Sequence, residues 1–275
     1  MRCIERRTIY QSRSDVLSLY QIGDVHLGNA HSKERQLRQL IEERILPDPN
    51  AYWIGLGDYC DFVNIHDPRF DPTDLAGWLF ADRGVSLADI GRAETRRFID
   101  LVTPIRDRCL ALASGNHEDM ILQKSESDVY GVIIEALADG ANEHRLDHRG
   151  FVNWRLQRTD AGGTWTLRIH ATHGSNGGRK PGSTANRIAD IAGGIDGVDV
   201  VMQGHTHKAM YEPIAKFRPG RRESDTVIVH CINIPPMCDD MRYAERMDLP
   251  AVPTGYTMLE VTPDKRQVAV HTCIW

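Results

Sequence analysis

Five short segments of the chain set a metal-binding residue type beside a glycine or another small residue. They are Asp24-Val25-His26, Gly57-Asp58, Gly115-Asn116-His117-Glu118, His173-Gly174 and Gly204-His205-Thr206-His207. Imidazole nitrogens mixed with carboxylate and carboxamide oxygens form a donor set suited to two divalent transition metals, and paired ions suit hydrolysis. His/Asp/Asn donors accept Mn, Fe, Zn, Ni or Co alike, so residue types leave the metal open.

Donors this far apart in sequence converge only if secondary structure brings them together. Residues 15–23, 51–56 and 109–113 read as strands, with helices over 31–46 and 89–103 between them. That alternation predicts a parallel sheet with right-handed crossovers. Further on, a helix is expected at 128–138, a hairpin over 150–158 and 164–172, a helix at 184–193 and a strand at 198–202. Strand-like segments at 226–234, 255–261 and 266–274 complete a second, mixed or antiparallel sheet. Asp24, Asp58, Asn116, His173 and His205 each follow a predicted strand. Functional groups in open α/β sheets gather beyond the carboxyl ends of strands, so the five loops are expected at one edge. Residues two apart in an extended segment project to one side, which lets Asp24 with His26, and His205 with His207, approach a common cation.

Composition fits a soluble globular protein: 41% hydrophobic and 26% charged over 275 residues, with a net charge of −5. No global basic field exists to recruit nucleic acid or anionic membrane. Neither a signal peptide nor an apolar run of about 18 residues is found, so a cytoplasmic protein without a membrane partner is expected. Six cysteines at 3, 60, 109, 231, 238 and 273 form no CxxC pair and read as scattered reduced thiols. Without a repeat or a linker-like stretch, residues 1–275 read as a single domain.

The ordered set D-x-H, G-D, G-N-H-[D/E], H-G and G-H-x-H resembles that of the calcineurin-like metallophosphoesterases and spans residues 24 to 207. The resemblance implies an α/β fold in which two mixed sheets form a four-layer β-sandwich flanked by helices, with two metals at the sheet edge. It further implies that Asp24, His26 and His207 hold one ion, that Asn116, His173 and His205 hold the other, and that Asp58 bridges them. On the same reading His117 is no ligand; it donates a proton to the leaving group or stabilises phosphoryl charge. General chemistry agrees: two ions about 3.5–4 Å apart can share a hydroxide placed in line with phosphorus. An imidazole is well suited to proton donation near neutral pH. Asp61, three residues after Asp58, is expected to orient His117 through its carboxylate.

The expected activity is therefore metal-dependent hydrolysis of a phosphomonoester or phosphodiester by a metal-bridging hydroxide. Manganese is one metal that would serve. A nuclease acting on DNA or RNA is the alternative within the family, and a non-catalytic metal-binding scaffold is the alternative outside enzymes. Protein phosphatases of this family carry phosphate-binding arginines at positions that here are Phe62 and Ser114, which argues against that subfamily. Substrate-covering loops are expected at 61–90 and 174–187. Asn64, His66 and Arg69 in the first, with Arg179 and Lys180 in the second, are the candidate substrate contacts; the Gly-rich second loop precedes a helix and offers backbone donors to phosphate.

Overall fold

A computed structural model describes the chain except residues 64, 66, 68, 82–88, 138–143, 160–162, 176–179, 220–222 and 240–241. In chain order the strands are β1 (Arg2–Tyr10), β2 (Leu17–Ile22), β3 (Ala51–Gly55), β4 (Cys109–Leu112), β5 (Arg149–Arg158) and β6 (Thr164–Thr172). They continue with β7 (Val200–Gln203), β8 (Met210–Pro219), β9 (Ser224–Asn233), β10 (Gly255–Thr262) and β11 (Gln267–Ile274). The helices are α1 (Glu34–Leu40), α2 (Trp78–Ala81), α3 (Ile90–Val102), α4 (Asn116–Ser125), α5 (Val129–Leu137), α6 (Pro181–Gly193) and α7 (Arg242–Arg246).

Two mixed sheets result, one in the order β11-β10-β2-β3-β4 and the other β1-β5-β6-β7-β9-β8. Strands β2, β3 and β4 run parallel, as the alternating pattern predicts. In the second sheet β7 lies parallel to both β6 and β9.

Side-chain alternation builds four layers. In β2, Leu17 and Leu19 point between the sheets, where they join Ile54, Val152, Trp154, Ile169, Val200 and Leu259. Tyr20 and Ile22 point the other way and pack with Leu37, Phe98 and Ile133 from α1, α3 and α5. On the outer face of the second sheet, Val201, Val229 and Cys231 pack against Ile188 and Ala192 of α6. Strands buried on both faces read as nearly continuous apolar runs, which is why β3, β4 and β7 stand out in the sequence.

Three placements differ from expectation. Strand β10 pairs antiparallel with β2 and carries β11 with it, so both complete the first sheet and not the second. Strand β8, not expected from the sequence, pairs antiparallel with β9 at one edge of the second sheet. Strand β1, also not expected, lies parallel to β5 at the other edge. Its charges hid it. Arg6 extends to the Leu110 carbonyl at 2.7 Å and to His144 Nδ1 at 2.6 Å.

Helix α6 begins at Pro181, where a proline at the first helical position needs no N–H partner, so the expected 174–187 loop is largely helical from there. All six cysteines are free. Among the described residues no helix is long and apolar enough to cross a membrane.

Candidate metal centre

Strands β2, β3 and β4 end side by side, and their loops zip together through the backbone. Asp24 N–H donates to Gly57 O at 3.0 Å, and Val25 N–H to Asp58 O at 2.9 Å. In the second sheet, Gly204 N–H donates to His173 O at 3.0 Å. Two bonds then tie one sheet edge to the other. His205 N–H donates to the Asp24 carboxylate at 2.9 Å, and His173 Nδ1 donates to Leu56 O at 2.7 Å. Glycine is needed where these loops touch: a Cβ at Gly204 would stand 2.5 Å from Asp24 Oδ2, and one at Gly115 would stand 2.2 Å from Asp58 Oδ1.

The turns also strain the donors themselves. Asp24, His26, Asp58, His205 and His207 all adopt left-handed backbone, with φ between 47° and 67°. Non-glycine residues hold that conformation only where their surroundings over-determine it, and such positions cluster at functional sites.

Every residue expected to be a ligand arrives at this edge. Asp24, His26 and His207 present atoms within 4.8 Å of one another, and so do Asp58, His173 and His205. Asn116 Oδ1 lies 2.8 Å from His205 Nδ1 and 3.0 Å from His173 Nε2. Asp58 stands between the groups, with Oδ2 3.2 Å from His173 Nε2 and 3.9 Å from His26 Nε2. His170, three residues before His173, instead packs edge-on against Phe151.

The chemistry of this donor set fits divalent cations. His26 Nε2 and His207 Nε2 face each other at 3.4 Å, where two lone pairs repel unless a proton or a metal ion sits between them. Burial opposes charging His173, yet Asp58 and then Asp24 overrule it and push its pKa up to about 10. Burial likewise opposes ionising Asp58, yet His173 and His117 hold its carboxyl well below the usual range. A buried cluster that captures protons this strongly is one that positive charge stabilises.

His117 opens α4 directly after Asn116. Its Nδ1 donates to the main-chain carbonyl of Asp61, and its Nε2 accepts from Arg69 Nη1 at 3.0 Å, since a guanidinium only donates. The expected role of the Asp61 carboxylate is corrected here. Its Oδ1 lies 3.9 Å from His117 Nδ1 but 3.4 Å from His26 Nδ1, and its Oδ2 accepts from Asn29 at 3.2 Å. The following residue, Phe62, takes left-handed backbone at φ 50°, and the Asp61 carbonyl meets His117 while its carboxylate faces His26.

Glu118 is a residue whose part the sequence reading missed. It accepts from Gly115 N–H at 2.7 Å, Asp58 N–H at 2.9 Å and Tyr59 N–H at 2.8 Å, which locks the β3 loop onto the start of α4. Burial and then the Asp58 charge raise its pKa to about 7. A glutamate at the third position of a helix is a capping signal that could have exposed it.

Of the candidate substrate contacts, Arg69 reaches the site, whereas Lys180 is exposed at the start of α6 and no described contact joins it to the cluster. Asn64, His66 and Arg179 lie outside the described residues. Lys216 and Arg218, near the end of β8, lie at the sheet edge opposite the cluster, because β8 runs antiparallel to β9 and β9 ends at Asn233 on the cluster side.

Comparison with known proteins adds a family. The model of the calcineurin-like phosphoesterase family matches residues 17–209. No curated protein matches the chain. Among solved structures, a predicted phosphoesterase from Streptococcus pneumoniae TIGR4 aligns at 10% identity over 95% of this chain and 99% of its own, with a TM-score of 0.36. Wild-type Vps29 from Entamoeba histolytica, complexed with Zn²⁺, aligns at 10% identity over 94% of this chain and 99% of its own, with a TM-score of 0.40.

Proposed function

The chain belongs to the calcineurin-like phosphoesterase family, and from that premise we propose that it is a metal-dependent hydrolase of phosphoric esters. The observation that carries this reading is the pair of donor groups meeting at Asp58. Asp24, His26 and His207 would hold one ion, Asn116, His173 and His205 the second, and Asp58 would serve both. Bound there, two divalent ions supply Lewis-acid activation of water and screen the charge of the ester.

The remaining steps belong to the protein. His117 has Nδ1 engaged by the Asp61 carbonyl, so Nε2, once protonated and turned from Arg69 to the substrate, would be the atom that gives a proton to the departing oxygen. The Asp61 carboxylate acts on His26, fixing the ring that faces His207. Glu118 holds Asp58 in its strained conformation from behind. Lys216 and Arg218, near the end of β8, lie at the far edge from the cluster, which favours a compact ester over a long nucleic acid.

The test is turnover of p-nitrophenyl phosphate, bis-p-nitrophenyl phosphate and single-stranded DNA by the Mn²⁺-loaded protein, with metal content measured on the same sample. No turnover of any substrate by a fully loaded sample sinks the hydrolase reading. His117→Ala is expected to lower the rate by about 10²–10⁴-fold while bound metal stays unchanged; loss of metal with it would make His117 a ligand.

A further inference from the structure

Arg69 is a cation built into the site beside His117. Its Nε and Nη2 donate to the two Asp67 oxygens, each at 3.1 Å, and its own N–H donates to Asp67 Oδ1 at 2.8 Å. Lys124 of α4 also approaches Asp67, at 3.4 Å, and Arg69 Nη2 touches Met120 Sδ on the same helix at 3.1 Å. Asp67 and α4 therefore hold the guanidinium plane, leaving Nη1 to point at His117 Nε2. The side chain is 25% exposed. A small space beneath it is lined by Asn29, Asp61, Phe70, Asp74 and His117. Ordering an arginine there serves no obvious packing purpose, because its charged end faces the polar edge and not the core.

We propose that Arg69 is the substrate-binding residue that selects phosphomonoesters over phosphodiesters, by gripping the terminal phosphate at an oxygen that a diester would carry as an alkyl or aryl ester. The proposal rests on the hydrolase reading above. A monoester dianion presents three non-bridging oxygens, whereas a diester monoanion presents two and fills the third position with an uncharged substituent. Metal ions held by the donor groups would take up part of that charge, and Arg69 Nη1, beside His117, offers a charged donor to the oxygen that only the monoester leaves free. A guanidinium pre-oriented by a carboxylate and partly removed from water loses little freedom on taking up phosphate, and its hydrogen bonds are charge-assisted. A bulky substituent on the same oxygen meets a fixed fork that has nothing to accept from it.

The experiment compares wild type, Arg69→Ala and Arg69→Lys, all Mn²⁺-loaded, on p-nitrophenyl phosphate and on bis-p-nitrophenyl phosphate. Loss of a charged hydrogen bond predicts that Arg69→Ala lowers kcat/KM for the monoester by about 10- to 100-fold. The ratio of monoester to diester kcat/KM should fall by the same factor, with Arg69→Lys between the two. Inorganic phosphate, the product dianion, should bind Arg69→Ala at least about tenfold more weakly by calorimetry. Metal content and melting temperature measured on each variant separate this effect from misfolding. Equal loss on both substrates, or no loss on either, overturns the assignment while leaving the hydrolase reading intact. If the wild type turns over neither substrate, that reading fails, and unchanged phosphate affinity in Arg69→Ala then removes the clamp as well.

Discussion

Between the sheets, Leu17, Leu19, Ile54, Trp154 and Ile169 are fully buried and apolar. At the strand ends, Asp24, His26, Asp58 and His173 are 0–3% exposed, hence buried as deeply, and every one is polar. The two regions share the same strands and differ in what their burial does. Inside, removal of apolar surface from water stabilises the fold. At the edge, buried charge and left-handed backbone each oppose folding, and the His26 Nδ1–Asp61 Oδ1 contact is long at 3.4 Å. The difference teaches that the sandwich interior supplies the stability that the edge consumes, and that the edge is arranged for a ligand. Gln21 and Thr257 are two polar residues inside: they pair across β2 and β10, and their side-chain polar atoms lack partners.

That contrast can be broken from the inside first. Trp154 fills the space between the sheets, edge-on to Tyr52 and donating to Thr8 Oγ1 at 2.9 Å. Trp154→Ala is expected to lower stability by about 3–5 kcal/mol in denaturant unfolding. Metal stoichiometry of the folded fraction should remain at the wild-type value. A parallel loss of metal would mean that the two regions are one energetic unit.

Glu118→Gln sits at the boundary. It removes the charge from an acceptor of three backbone N–H groups and should cost about 1–3 kcal/mol. Because Asp58 is held by one of those bonds, metal affinity should fall by about 10- to 100-fold as well. Isothermal titration with Mn²⁺ and thermal melts of the same variant measure both; a variant that loses stability alone would reduce Glu118 to a helix cap.

A pH profile tests the edge alone. His173 has a folded pKa of about 10 against an ordinary 6.5, so its protonation stabilises the metal-free fold fully below about pH 6.5. That contribution disappears as pH rises through about 10. Melting temperature of chelator-treated protein should therefore decline across this window. Added Mn²⁺ or His173→Asn should flatten it, since a ligating imidazole is neutral and an asparagine does not titrate. A flat profile in chelator would contradict the picture of a cluster that takes up protons when it lacks ions.

Much of this was legible in the linear order of residues. The strands before Asp24, Asp58, Asn116, His173 and His205 were readable from their apolar runs, and with them the expectation of a shared edge. Strand β1 was not, because Glu5, Arg6 and Arg7 mask its inward alternation of Ile4, Thr8 and Tyr10. Nor was the neighbour of β10: period-two alternation reports which face is buried and is silent on which strand lies alongside. Arg69 was visible as a basic residue in the right loop, but its contact with His117 depends on the Asp67 anchor and the turn at Phe62.

Sequence by itself determined the donor atoms, since residue type decides which atoms can ligate a cation or carry a proton. It also determined that they follow strands, since periodicity and glycine mark where strands end. The tertiary structure alone decided which donors meet. His205 reaches Asp24 across 181 residues only because two sheets pack face to face with their carboxyl edges aligned. It also decided that Asp61 steers His26 with its carboxylate and His117 with its carbonyl. The left-handed turn at Phe62 accompanies that choice of partners, which is made by packing around the loop and leaves no mark in the order of residues.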